Sequence, residues 1–356
     1  MTESIMTVSI IIPVYKAEKY ISDCLESIFQ QECDAAHVEC ILVDDCSPDG
    51  SIDVARKILS EYHGSIDFVL MRHDANRGPS AARNTAIKVA KGDFVLFVDA
   101  DDKLEPGTID YYVRSINDSG CEAQVDIVLG NSYVEKNSRP AMELDFSEPM
   151  LCDNADEYCL RKLLTREWIH LVCNKLVRKE MMTDHQALFE EGVIDEDLLW
   201  AYLIFLHARK VIIAPRVTYI YNDTPGSIMN TPYQRVAHII RSRITICNKL
   251  LAAPPRLLQK EYFMYTFYVL IRAVNLYEDV IRNSKDTDGS VSGSPDARLA
   301  EDLHSVRSEF LRRVWKKYYF LLYLFFLTSV KPFYHLYHIR FFRRYYDNIA
   351  MKILRI

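Results

Sequence analysis

Apolar and amphipathic runs alternate through roughly residues 8–98 of the chain. Four short runs rich in β-branched or aromatic residues predict strands over residues 8–14, 40–43, 68–71 and 94–98. Helical spacing, or a proline in the first turn, predicts helices between them over residues 18–31, 52–62 and 79–89. This alternation favours an α/β fold with a mostly parallel, Rossmann-type sheet and helices on both faces.

Polar residues follow the end of each predicted strand. They are Tyr15 after the first, Asp44 and Asp45 after the second, Asn76, Arg77 and Gly78 after the third, and Asp99, Asp101 and Asp102 after the fourth. In an open parallel sheet, ligands bind outside the carboxyl ends of the strands. We therefore expect these side chains to line one site.

The three aspartates after the fourth strand crowd negative charge into a single turn. A divalent cation would neutralise them, and carboxylate oxygens suit Mg²⁺ or Mn²⁺. Because Mg²⁺ takes one or two protein carboxylates plus substrate phosphates, the run predicts a metal–diphosphate site, although such a run on its own is more often a solvated turn. Asp101 is the leading predicted ligand, Asp99 a ligand or a ribose contact, and Asp102 a solvated turn acid.

The other polar strand ends offer groups that bind a nucleotide. The ring of Tyr15 can stack on a base, and Asp45 can accept a hydrogen bond from a base or a ribose. The start of the third helix offers free N–H groups and guanidiniums to an anion. Each group also has a plain interpretation, as a core tyrosine, a turn acid or a surface arginine, but together they favour a nucleotide-diphosphate site. The chain contains neither GxGxxG nor GxxxxGKS/T, which disfavours dinucleotide oxidoreductases and P-loop ATPases.

Three stretches carry a resemblance to a known family. They are, in order, VSIIIPVYKAEKYISDCLESIFQQ, CILVDDCSPDGS and NRGPSAARNTAIKVAKGDFVLFVDADD. Over about residues 7–106 the chain closely resembles the family 2 glycosyltransferases of bacterial polysaccharide biosynthesis, which have the GT-A fold. The resemblance implies inverting transfer of a sugar from a nucleotide-sugar, usually UDP-linked, to an acceptor hydroxyl. It implies a nucleotide-sugar site at Pro13, Val14, Tyr15, Glu18, Asp45, Asn76, Gly78, Arg83 and Asp99, and a Mg²⁺ or Mn²⁺ site at Asp101 and Asp99.

A later acidic motif, LFEEGVIDEDLLW over residues 188–200, also resembles the family. By that resemblance Asp197 is the predicted general base, and Glu196 is the alternative. The chemistry agrees, because an inverting displacement needs a carboxylate to take the proton of the attacking hydroxyl. The alternative interpretation is that these acids only stabilise a helix N-terminus through its dipole.

Two further segments resemble parts of the family. WIHLVCNKLVR, residues 168–178, resembles a segment near the acceptor. Asn174 and Lys175 can contact an acceptor or a phosphate there, and a helix–strand junction explains them equally well. YIYNDTPGS, residues 219–227, resembles a loop that closes over the diphosphate.

The chain is predicted to contain four parts. Residues 1–230 form the GT-A domain, with a nucleotide-sugar half at about 1–120 and an acceptor half at about 121–230. Residues 231–282 form a helical extension, expected to be helical throughout 233–282. Residues 283–298, rich in Gly, Ser and Asp, form a flexible linker, and residues 299–356 form a basic, aromatic tail.

The tail combines an apolar run with basic flanks. Residues 318–330 are almost wholly apolar but fall short of the ~20 residues of a spanning helix. Residues 305–356 carry eleven Lys or Arg and two acids. This favours an interfacial helix on an anionic membrane, and the alternative is a helix packed on the main domain with a solvated basic face. Nine cysteines without CxxC spacing favour reduced thiols, and the N-terminus shows no signal-peptide pattern.

The sequence thus predicts an inverting glycosyltransferase, bound peripherally to the cytoplasmic face of the inner membrane. Its expected partners are a UDP-sugar and a saccharide acceptor that is lipid-linked, as in surface polysaccharide synthesis, and not nucleic acid. One alternative is a sugar-1-phosphate nucleotidyltransferase, which would want a Gly-rich loop after the first strand, where this chain has PVYKAEKY. The other is a non-catalytic carbohydrate- or membrane-binding protein.

Overall fold

A computed structural model describes residues 5–135, 139–144, 146–222, 233–286 and 305. The chain divides into two compact units, Met1–Asn230 and Thr231–Ile356. The predicted tail, apart from Ser305, and residues 287–298 of the predicted linker lie outside the described residues. Within the described residues, no helix is both long enough and apolar enough to cross a bilayer.

The first unit begins with the predicted alternation of strands and helices. Its elements are β1 (Met6–Val14), α1 (Ile21–Phe29), β2 (Ala36–Asp44), α2 (Ser51–Ser60), β3 (Asp67–Arg72), α3 (Pro79–Val89) and β4 (Phe94–Phe97). All four predicted strands and all three predicted helices are present. The boundaries of α3 match the prediction, because Pro79 stands at its first turn and Gly92 shortly after its end.

The rest of the unit adds six strands and four helices among the described residues. They are β5 (Lys103–Leu104), α4 (Thr108–Asp118), β6 (Val125–Val134), β7 (Arg139–Met142), β8 (Met150–Asp153), α5 (Tyr158–Leu164), β9 (Lys175–Arg178), α6 (Lys179–Asp184), α7 (Glu196–His207) and β10 (Lys210–Tyr221).

All ten strands form one sheet in the order β3-β2-β1-β4-β9-β6-β10-β5, with β7 on β6 and β8 on β10. The first four strands are parallel, as predicted. The sheet as a whole is mixed, because β9 runs antiparallel between β4 and β6, and β5, β7 and β8 are also antiparallel to their neighbours. The prediction of a mostly parallel sheet therefore holds for β1 to β4, and in the rest of the unit only β6 and β10 pair in parallel among the described strands.

An aromatic cluster attaches α7 to the centre of the sheet. Trp200 of α7 is fully buried, stacks on Phe189 at 4.9 Å between centroids and meets Phe97 of β4 edge-on at 5.6 Å. Aromatic pairs at these separations contribute roughly 0.5–1.5 kcal/mol beyond their buried area. This packing brings the N-terminus of α7 towards the end of β4, where the acidic turn begins.

The second unit contains two helices among its described residues, α8 (Tyr233–Ala252) and α9 (Gln259–Asp286), which pack against each other. The prediction that residues 233–282 are helical throughout is wrong, because the chain between α8 and α9 is not helical. Pro254 and Pro255 lie between the helices, and proline cannot donate the hydrogen bond that a helix interior needs. α9 also extends four residues into the predicted linker, since the first glycine there is Gly289.

Replacing Gly130 of β6 tests the packing at the centre of the first unit. A Cβ atom there would collide with the hydroxyls of Tyr112 and Thr218, which are buried and hydrogen-bonded to each other at 2.7 Å. We expect Gly130→Ala to lower the free energy of unfolding by about 1–3 kcal/mol, measured by urea denaturation. Wild-type stability for Gly130→Ala would contradict the described packing.

Candidate functional site

The acidic run forms a tight turn at the carboxyl end of β4. Val98 continues the pairing with β1, since its N–H donates to the carbonyl of Ile11 at 2.9 Å. The N–H of Asp102 then closes the turn on the carbonyl of Asp99 at 3.0 Å. The carboxylates separate at this point: the Asp99 side chain is 37 % exposed, whereas Asp102 is buried.

Asp102 is not the solvated turn acid that the sequence predicted. It is 1 % exposed and accepts hydrogen bonds from the hydroxyl of Tyr219 and from the N–H of Asn222, the latter at 2.7 Å. Burial, and then the charges of Asp99 and Asp101, raise the pKa of Asp102 to about 8. The prediction failed because β5 pairs with the end of β10, which brings a tyrosine from 117 residues away onto the turn.

Asp45 lies at the end of β2, and its carboxylate organises the loop that precedes α3. It accepts hydrogen bonds from the N–H groups of Arg77, at 2.9 and 3.1 Å, and Gly78, at 2.7 Å. His73 shares a further hydrogen bond with it at 2.7 Å, and the other ring nitrogen of His73 meets Thr85 at 3.0 Å. Gly78 has a φ of 87°, a conformation that favours glycine. Sequence reasoning missed His73, although its position one residue past β3 was a usable signal.

The other predicted base contacts lie at the neighbouring strand end. Tyr15 follows β1 and is 44 % exposed, and the ammonium of Lys16 lies over its ring, 5.3 Å from the centroid. Val14 is buried, and its carbonyl accepts from the N–H of Asp45 at 2.9 Å, which ties the ends of β1 and β2 together. Glu18 is exposed and accepts from the N–H of Gly50 at 2.9 Å.

Two more of the predicted nucleotide contacts, Pro13 and Asn76, are half-buried and exposed respectively. Pro13 is the last residue but one of β1 and pairs in register with β2. The amide of Asn76 donates weakly, at 3.4 Å, to the carbonyl of Asp45. Both therefore lie at the same edge of the sheet as Tyr15 and Asp45.

Arg83 of α3 joins the acidic turn to the later acidic motif. It is 4 % exposed and donates to Oδ1 of Asp99 at 2.7 Å and to Oε1 of Glu196 at 2.7 Å. Its guanidinium carbon lies 5.1 Å from the centroid of the Phe189 ring. Burial acts to lower the pKa of Arg83, but the charges of Asp99 and Glu196 outweigh it and raise the pKa above its ordinary value. The guanidinium therefore stays charged.

Two more contacts attach the acidic motif to α3 and the loop before it. Asn84 exchanges two hydrogen bonds with the backbone of Phe189, at 2.8 and 3.1 Å. Arg77 forms an ion pair with Glu191 at 2.9 Å. These pairs join segments more than 100 residues apart in the chain. Two motifs that the sequence treated separately thus form one assembly.

Asp197, the predicted base, is the second residue of α7, and its side chain is 29 % exposed. Its Oδ2 lies 3.6 Å from Nε2 of His170, and its Oδ1 accepts from the N–H of Leu198 at 2.9 Å. Burial, and then the charges of Glu196 and Asp195, raise the pKa of Asp197 to about 7. The contact with Leu198 also fits the alternative of a helix-stabilising acid, so both interpretations remain compatible with the geometry.

Asn174 and Lys175 lie inside the protein rather than at its surface. The Asn174 side chain donates to the carbonyl of Gly130 at 2.9 Å, and the Gly130 N–H donates to the Asn174 carbonyl at 3.0 Å. The Lys175 ammonium donates to Oδ1 of Asn174 at 2.7 Å and to the carbonyl of Leu171. Burial lowers the pKa of Lys175 to about 7. Both residues hold the start of β9 against β6. They have a structural role, although the junction is between two strands rather than the helix–strand junction that the sequence offered.

Across the part of the chain that the structure describes, no group of three or more His, Cys, Asp or Glu side chains could hold a metal by itself. Asp99 and Asp101 supply at most two carboxylates at the end of β4. This number suits a cation such as Mg²⁺ that completes its coordination with substrate phosphates and water.

Comparison with known proteins assigns the fold and the family. Residues 9–183 match the family model described as Glycosyl transferase family 2. The chain is 29 % identical over 235 residues to the uncharacterized glycosyltransferase EpsJ of Bacillus subtilis strain 168, an alignment that covers 64 % of each protein. It is 28 % identical over 231 residues to poly(ribitol-phosphate) β-N-acetylglucosaminyltransferase TarS of Staphylococcus aureus strain Mu50, covering 64 % of this chain and 38 % of TarS. The chain thus aligns with less than two thirds of the length of either relative.

A solved structure supports the assignment of the fold. The crystal structure of residues 1–349 of S. aureus TarS in complex with UDP-GlcNAc superposes with a TM-score of 0.63 and 22 % identity, covering 86 % of this chain and 89 % of that one. The resemblance predicted from residues 7–106 is confirmed, and so is the GT-A fold class. Through residues 9–183 the chain belongs to glycosyl transferase family 2, and its fold is of the GT-A type.

Proposed function

We propose that this protein is an inverting glycosyltransferase that moves a sugar from a UDP-sugar to an acceptor hydroxyl. The observation that carries the proposal is the bridge through Arg83, which joins Asp99 at the end of β4 to Glu196 beside the candidate base Asp197. A single displacement needs a donor site and a base held in one geometry. Family membership supports the same reaction class.

The donor would lie along the carboxyl ends of β1, β2 and β4. Tyr15 would stack on the base, while Asp45 would hold the loop of Asn76 and Gly78 against the nucleotide, since both carboxylate oxygens of Asp45 already accept from that loop. Asp99 would contact the ribose or the metal. UDP-GlcNAc is the first donor to test, because S. aureus TarS was crystallised with it.

A divalent cation, Mg²⁺ or Mn²⁺, would be held by Asp101 and Asp99. The donor set fits, because the turn offers hard oxygen ligands and its crowded negative charge contributes to the raised pKa of the neighbouring Asp102. When bound, the cation would draw charge from the diphosphate leaving group.

Asp197 would act as the general base. With a pKa of about 7 it is substantially deprotonated at neutral pH, and it becomes a better proton acceptor than an ordinary aspartate. It would take the proton of the acceptor hydroxyl while that oxygen attacks the anomeric carbon and the bond from this carbon to the diphosphate oxygen breaks. UDP would leave with the electron pair of that bond.

The proposed acceptor is a lipid-linked saccharide, and the proposed location is the cytoplasmic face of the membrane. The basic, aromatic composition of residues 299–356 supports this part, and those residues lie outside the described structure apart from Ser305. The activity test combines the purified protein, UDP-sugars, Mn²⁺ and a lipid-linked acceptor extract. UDP release with one donor is expected, and no release with any donor would contradict the transferase assignment.

Asp101→Asn should weaken metal-dependent donor binding. Loss of an outer partner of a metal ligand already costs about 10- to 100-fold in metal affinity, so loss of a ligand should cost at least as much. Calorimetry of UDP-sugar binding with and without Mn²⁺ measures the effect. Asp118→Asn, at the exposed end of α4, is the control and should bind like wild type. Unchanged affinity of Asp101→Asn would refute the metal site.

Asp197→Asn should leave the donor dissociation constant unchanged and lower kcat by about 10²–10⁴-fold, because general base catalysis is lost. In the wild type, kcat should rise with pH through about 7, as Asp197 loses its proton. UDP release between pH 5.5 and 9 measures kcat and its pH dependence, and calorimetry measures the donor dissociation constant. A variant that keeps wild-type turnover would place the base elsewhere.

Deleting residues 314–356 should release the protein from anionic vesicles. Most of the basic residues in the tail and all of its long apolar run lie within that deletion. Vesicle sedimentation of the full chain and the truncated chain, at low and high salt, measures the effect, since salt screens the electrostatic part. A truncated protein that still sediments with the vesicles would exclude the tail as the anchor.

A further inference from the structure

Glu196 and Asp197 are adjacent in sequence but have different surroundings. The Glu196 side chain is 15 % exposed, and its Oε1 accepts from Arg83 at 2.7 Å. Asp197 faces His170 across 3.6 Å and is more exposed. Successive side chains in an α-helix point about 100° apart. Directing Glu196 at Arg83 therefore directs Asp197 elsewhere, to the side of the helix that faces His170.

Arg83 is a fixed anchor for this arrangement. Its side chain is buried, two of its nitrogens donate to Asp99 and Glu196, and its guanidinium lies over the ring of Phe189. Removing one partner from a buried ion pair is strongly destabilising, because it leaves a charge without compensation. The position of Glu196 is thus determined by the same guanidinium that contacts the end of β4.

We propose that Glu196 is a positioning residue: through Arg83 it holds the first turn of α7 in place, and so sets the direction in which the side chain of Asp197 points. Glu196 is then not the base itself, because its carboxylate is committed to the guanidinium. This inference rests on the proposed function, in which Asp197 accepts the proton of the acceptor.

The charges around Asp197 provide a readout that separates this role from a purely structural one. Asp195 and Glu196 come from its own segment, Arg83 from α3, His170 from the segment before β9, and Lys175 from β9. The charges of Glu196 and Asp195 raise the pKa of Asp197, after burial, and Arg83 lowers it. Removing the charge of Glu196 should lower that pKa, and the acidic limb of the kcat–pH profile should move to lower pH.

Three variants of the full chain separate anchoring from charge. Glu196→Gln keeps an oxygen that can accept from Arg83 but removes the charge. Glu196→Ala removes both. Asp195→Asn removes a neighbouring charge without touching Arg83, and asparagine tolerates the positive φ of 63° found there.

The measurements are UDP release from pH 5 to 9 with the donor that gives the highest wild-type rate, donor affinity by calorimetry, and the melting temperature. We expect Glu196→Gln and Asp195→Asn to move the acidic limb to lower pH. The plateau of kcat should stay near wild type in Asp195→Asn, but it should fall several-fold in Glu196→Gln, because a neutral amide holds Arg83 more weakly than a carboxylate does. Glu196→Ala should move the limb and also lower the plateau by about 10²-fold, because the base is misplaced. Donor affinity should not change in Asp195→Asn.

The outcomes distinguish the inference from the proposed function. A limb and a plateau like those of wild type in Glu196→Ala would overturn the positioning role. Loss of turnover in Glu196→Gln, with turnover retained in Asp197→Asn, would identify Glu196 as the base and also overturn it, while the transferase assignment would stand. If Glu196→Ala does not fold, the plateau of kcat in Glu196→Gln decides the question, and a plateau as high as that of Asp195→Asn would overturn the positioning role. Absence of UDP release by the wild type would refute the proposed function itself.

Discussion

The buried guanidinium of Arg83 is the interaction on which the site depends. Its two ion pairs connect the end of β4 to the start of α7, two segments that the chain separates by about a hundred residues. A buried arginine is stable only with its partners in place, so the fold must bring both carboxylates to it. The aromatic packing of Trp200 on Phe189 and Phe97 contributes to this, because it fixes α7 against the sheet without involving any charge.

The carboxyl groups near this guanidinium have different partners and different pKa values. Asp99 and Glu196 pair with it, whereas Asp102 turns inward to Tyr219 and Asn222, and its pKa is raised. Asp197 keeps partial access to solvent and also has a raised pKa. The site thus combines carboxylates that are paired with Arg83 and carboxyls whose pKa values are raised towards neutral pH.

Much of the first half of the fold was predictable because its signals are local. Apolar runs of strand length and helical spacing revealed β1 to β4 and α1 to α3, and Pro79 marked the start of α3. The antiparallel β9 was not predictable, because pairing between β4 and β6 depends on contacts across the sheet rather than on the four residues of the strand. The break between α8 and α9 was predictable, because Pro254 and Pro255 lie within the stretch that was predicted to be helical.

The residue types at the strand ends, and hence the class of chemistry, follow from the sequence alone, because polar groups after buried strands must gather at one edge of a parallel sheet. Which of them contact each other was decided by tertiary structure. Asp102 is buried because β5 pairs with β10. Asp45 accepts hydrogen bonds from the loop before α3 because the fold brings the N–H groups of that loop to the end of β2. Spacing along the chain carries no information about such partners, since hydrogen bonds and ion pairs form between neighbours in space.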